Sequence, residues 1–62
     1  METGTIRHRM PWGAGTIRAD ADGKEISFLA GVVNRPWSQV LGGLPVRFER
    51  YVGRDEAKRV EV

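Results

Sequence analysis

Eight glycines and three prolines punctuate only 62 residues, and this spacing constrains the chain more than any other feature. Inside a helix, glycine costs about 1 kcal/mol and proline about 3 kcal/mol relative to alanine. No segment here sustains a helical repeat, and the pieces between the breaks read as strands. Thr3 to Met10 carries Ile6 and Met10 as its apolar members and is closed by Pro11. Gly15 to Ala19 is closed by Asp20-Ala21-Asp22-Gly23, whose Asp-Gly pair suits the positive φ of a hairpin turn. In Glu25 to Val33, Ile26 and Phe28 alternate with Glu25 and Ser27. Asn34 to Gly43 is irregular, broken by Pro36 and by Gly42-Gly43. Val46 to Val52 begins with Val46 and Phe48 opposed to Arg47 and Glu49, Gly53-Arg54-Asp55 turns the chain, and Ala57 to Val62 ends it. Short alternating strands with turns at regular intervals predict an all-β barrel or sandwich. Its core should gather Ile6, Ile17, Ile26, Phe28, Val33, Val46, Phe48 and Val60.

An OB-type barrel and an SH3-like barrel both accommodate five strands in this length. The stretch between the third and fourth strands exceeds a tight hairpin and suits the bridge between the two sub-sheets of an OB barrel. The expectation is therefore a five-stranded antiparallel OB-type barrel over residues 1–62, with room for about one helical turn in Trp37 to Leu41. A domain this small draws only about 3–5 kcal/mol from its apolar core. There is no cysteine and one histidine, His8, so neither a disulfide scaffold nor a Cys/His zinc site is available. No run approaches the ~20 apolar residues of a membrane span, and no charged-then-apolar leader opens the chain. The reading is a soluble, cytoplasmic module without a membrane partner, beginning at Met1.

The net charge is +2, and its distribution says more than its sum. Residues 1–19 carry +2 and residues 31–54 carry +3, against −2 over residues 20–30 and −1 over the tail. Eight of the ten cations are arginine, the residue that forks onto phosphates and stacks on flat groups. An ordinary surface of mixed charge is the alternative to a nucleic-acid footprint.

Residues along nearly the whole chain are similar to motifs of one family, in order. Gly4-Thr5-Ile6-Arg7 looks like an opening Gly-x-Val-Lys, and Gly13-Ala14-Gly15-Thr16-Ile17 stands in the place of Gly-Phe-Gly-Phe-Ile. Ile26-Ser27-Phe28-Leu29-Ala30 stands for Val-Phe-Val-His-Phe, with Val32-Val33 following like Ala-Ile. Gly43-Leu44-Pro45-Val46-Arg47-Phe48 looks like Gly-Gln-x-Val-x-Phe, and Ala57-Lys58-Arg59-Val60 like a closing Ala-x-Asn-Val. In these positions the chain resembles the bacterial cold-shock domain, an OB barrel that binds single-stranded RNA and DNA. The matched positions are mainly glycines and inward aliphatics, which carry the fold. The family stacks bases on exposed aromatics, each worth about 1–3 kcal/mol. The corresponding positions here are His8, Arg9, Ala14, Thr16, Ser27, Leu29 and Ala30, without one aromatic among them.

The resemblance implies a nucleic-acid module whose contacts come from elsewhere. The candidate binding residues are Arg7, His8, Arg9, Trp12, Arg18, Arg35, Trp37 and Arg47. The family often carries an aromatic in the loop that holds Trp37, so Trp37 is expected to stack a base. Trp12, between Pro11 and Gly13, is expected close to the barrel wall in a structural role. A bulge late in the fourth strand is expected to turn Tyr51 inward in place of Arg50. His8 reads as an exposed strand residue. Catalysis has no foothold: Ser27 and Ser38 stand in no nucleophile motif, and Gly13-x-Gly15 lacks the third glycine of a dinucleotide fingerprint. Asp20, Asp22 and Glu25 lack the length and terminal Glu of an EF-hand loop. The reading is a non-enzymatic, cofactor-free binder of single-stranded RNA or DNA, weak and mainly electrostatic. The rival reading is a protein-interaction or self-association module using an apolar patch of Leu29, Ala14 and Ala30.

Overall fold

A computed structural model covers residues 1–62. Strands β1 (Glu2–Met10), β2 (Ala14–Ala19), β3 (Glu25–Leu29), β4 (Pro45–Arg50) and β5 (Ala57–Glu61) form one antiparallel sheet in the order β3-β2-β1-β4-β5. Parallel bridges Ser27↔Glu56 and Val33↔Val60 bring the two outer strands together and curl the sheet into an OB-type barrel. The Asp22-Gly23 turn joins β2 to β3, with Gly23 at φ +71°. Gly15 is required for a different reason: a Cβ there would lie 2.8 Å from the Phe28 ring.

The alternating pattern buries what it predicts. Ile6, Ile17, Ile26, Phe28, Val46, Phe48 and Val60 form the core together with Ala19, Val40 and Ala57, and Val33 packs against it half-buried. Removing these side chains from water is the main favourable term, at about 1.5–3 kcal/mol for each large one. Val40 escaped the alternation argument because it enters from the long loop, at the end of a 3-10 turn over Trp37–Gln39. That single turn occupies the place where about one helical turn was expected.

Three elements end differently from the sequence pattern. The third strand stops at Leu29 rather than Val33, because Ala30–Val32 closes a 3-10 turn through the Val33 N–H to the Ala30 carbonyl. The fourth strand stops at Arg50, and Tyr51 is 41% exposed, so the expected inward turn of Tyr51 is corrected. The irregularity near Arg50 leaves Lys58 of β5 as the extra residue, so Arg50 pairs with Ala57 and keeps the inward phase of Val46 and Phe48. A second bulge lies in β1. Ile6 pairs with Ile17 and His8 with Thr16, so Arg7 is the unpaired residue and the strand's phase inverts after it. His8 and Met10 thereby face out, while Arg9 faces in.

Candidate nucleic-acid interface

Directly paired residues of antiparallel strands share a face of the sheet, so the register assigns the outer surface of β1, β2 and β3. It consists of three rows: Met10–Ala14–Leu29, His8–Thr16–Ser27 and Thr5–Arg18–Glu25. Rows two residues apart are separated by roughly 7 Å and strands by about 4.8 Å, so the face measures about 14 by 10 Å. Its chemistry is graded along the strands. One end is apolar, with Met10 and Leu29 exposed; the middle exposes His8 and Ser27, with the Thr16 hydroxyl buried and without a partner; the far end is charged, with Arg7 beside the last row.

Trp12 stands at the apolar end, in the β1–β2 turn, and is 76% exposed. The expectation that it packs on the barrel wall is corrected. Trp37 does pack. Its ring lies 5.8 Å from that of Phe28 at a tilted angle of 53°, and its Nε1–H donates to the Met10 carbonyl at 2.8 Å. The indole closes this end of the barrel, so its expected role as a free stacking platform is replaced by a lid. Nothing local in Pro11-Trp12-Gly13 or Pro36-Trp37-Ser38 distinguishes the two. The difference lies in which turn folds back across Phe28, a contact between distant segments.

The cations divide in the same way. Arg9, turned inward by the β1 bulge, lies 5.2 Å over the Trp37 ring and donates to the Trp37 carbonyl at 3.0 Å; its Nε is buried without a partner. It belongs to the lid rather than to the open face. Arg47 donates to Glu61 at 2.9 Å on the β4–β5 half of the sheet and is not brought together with the others. Arg35 is exposed in the long loop and forms no ion pair. Arg7, His8 and Arg18 remain on the graded face. Arg18 carries no ion pair; Arg7 Nε lies 3.9 Å and His8 Nε2 3.8 Å from the same Glu25 oxygen, the latter an ion pair only when the imidazole is protonated.

The opposite end of the barrel holds a group that sequence reasoning missed. Arg50 lies over Phe48 at 6.0 Å and grips Glu2 through two bonds of 2.6 Å, Asp22 through one of 3.0 Å, and faces Asp55 at 3.9 Å. The Lys24 backbone N–H and the Arg50 guanidinium hold the Asp22 carboxyl below its usual range. Arg50 in turn is held more firmly protonated, chiefly by Glu2. Inward alternation of Val46, Phe48 and Arg50 was the available signal. A groove of about 910 Å³ opens here between Met1, Tyr51 and Arg54, but its central cation is already satisfied by carboxylates. No group of three His, Cys, Asp or Glu side chains is arranged to hold a metal ion, and no helix is long and apolar enough to cross a membrane. The chain matches no protein-family model, no curated protein and no solved structure.

Proposed function

We propose that the outer face of β1, β2 and β3 binds single-stranded RNA or DNA, weakly, chiefly through charge and with little sequence preference. The observation that carries this reading is Trp12, 76% exposed at one end of a face that presents His8 in its middle and Arg7 and Arg18 at its other end. A base stacks on the indole, and arginine forks receive the phosphates of the same strand. The order of motifs shared with the cold-shock domain supports the same ligand class, although Trp12 replaces the family's row of aromatics. Arg35 adds long-range attraction from the loop, while Trp37, Arg9 and Arg47 serve the fold.

Titration of a short labelled oligothymidylate or oligouridylate at several salt concentrations tests this. Contact with two or three phosphates gives a log–log slope of roughly −1.4 to −2.1, with quenching of Trp12 fluorescence. Salt-independent binding, or none at low ionic strength, would overturn it. A second reading draws on the apolar row: Leu29 and Met10 are 56% and 37% exposed beside Trp12, which suits a protein partner or a second copy. Concentration-dependent sedimentation without oligonucleotide binding would favour that reading.

A further inference from the structure

Glu25 is the only acidic residue in the three rows of the outer face. Its Oε1 lies 3.9 Å from Arg7 Nε and 3.8 Å from His8 Nε2, and the residue is the direct cross-strand partner of Arg18. The carboxylate accepts no hydrogen bond from backbone or side chain within the chain, unlike those gripped by Arg50. It is also half exposed, with 52% of the side chain open to solvent. The β1 bulge creates this arrangement. By adding Arg7 to the outer side just before His8, it sets two basic side chains next to each other where an unbroken strand would offer one.

A carboxylate and a phosphate both present anionic oxygens that a guanidinium fork can bind bidentately. Basic groups that converge on one acidic oxygen therefore mark a position that fits a phosphate. We propose that Glu25 is an internal competitor for the phosphate of a bound single strand, holding Arg7 and His8 until the strand displaces it. This rests on the nucleic-acid reading of the same face, and it makes weak binding a property set by one residue. Displacement is feasible because an exposed ion pair of this separation is weak and readily screened.

The test compares the wild type with Glu25→Gln and with Glu49→Gln. The second substitution removes the same charge from the β4–β5 half, where Glu49 faces Lys58 and Arg59. With a short fluorescein-labelled oligothymidylate at low ionic strength, Glu25→Gln should bind about two- to fivefold more tightly. Its salt slope should steepen by up to about 0.7, one further phosphate contact on a single strand. Glu49→Gln should move both quantities by less than half as much. In parallel, inorganic pyrophosphate should shift the His8 imidazole resonances of Glu25→Gln at lower concentration than those of the wild type. Glu25→Thr, neutral and suited to a strand, should repeat the result if the glutamine variant melts early. Equal affinities and slopes for Glu25→Gln and Glu49→Gln, with oligonucleotide still bound, would overturn the competitor and leave the nucleic-acid reading standing. Binding by Glu25→Gln alone would support both. Absence of either probe's binding from every variant would overturn both.

Discussion

At one end of the barrel Arg9 lies against the Trp37 ring above Phe28, with a backbone carbonyl as its acceptor. At the other, Arg50 lies over Phe48 and is held by Glu2 and Asp22, with Asp55 nearby. Both arginines stand in the inward phase of their strands, next to a core phenylalanine, at opposite ends of β1. One end closes with an aromatic lid that depends on packing and the other with carboxylates that depend on charge. The difference teaches that an inward arginine in so small a barrel needs a partner delivered from elsewhere in the chain. Glu2 is 48 residues from Arg50, and Trp37 is 28 residues from Arg9. The third group of cations, Arg7, His8 and Arg18 on the graded outer face, has one acidic residue beside it, Glu25.

The harshest way to break the comparison is to remove the phenylalanine beneath either end. Phe28→Ala and Phe48→Ala should each cost about 3–5 kcal/mol, which matches the whole stability available to a domain of this size. Circular dichroism at room temperature should find both variants unfolded; a folded Phe28→Ala would mean that Trp37 collapses into the space. Next in size is the contrast between the tryptophans. Trp37→Ala should lower stability by about 2 kcal/mol, half of a fully buried loss, since the ring is only half-buried. Trp12→Ala should leave melting unchanged and weaken single-strand binding about tenfold, the loss of one stacking side chain. Early melting of Trp12→Ala would reverse the two roles.

Acid separates the two ends more gently. Asp22 is held below its ordinary value of 3.8, so its contribution is complete above that pH and disappears as pH falls through the depressed value. Melting temperature should therefore drop below about pH 4. Arg50→Met should flatten that drop without abolishing it, because the Lys24 N–H still holds Asp22. The raised proton affinity of Arg50 itself matters only in strong alkali. An acid profile unchanged by Arg50→Met would remove charge from the account of this end. The smallest effect concerns the outer cations. Arg18→Gln should make the salt slope of oligonucleotide binding shallower by about 0.7, whereas Arg47→Gln, whose guanidinium is engaged by Glu61, should leave it unchanged.

The sequence alone determined the strand count, the turns, seven of the ten core residues and the barrel type. Each of these rests on neighbours in the chain: a glycine that tolerates positive φ at Gly23, or an inward residue at every second position, as in Ile26-Ser27-Phe28. The strand register sets His8, Ala14, Thr16, Ser27 and Leu29 on the outer face. Arg9 went astray because one unpaired residue, Arg7, inverts every position after it, and nothing in the run of letters marks where a strand will bulge. Tyr51 went astray for the complementary reason, since the extra residue lies in β5 rather than β4. Only the tertiary structure decided which tryptophan is lid and which is open, and which of eight arginines are engaged by carboxylates. Those are matters of register and loop path between segments tens of residues apart. Side-chain partnership there depends on a few ångströms of relative position, which composition and local pattern do not encode.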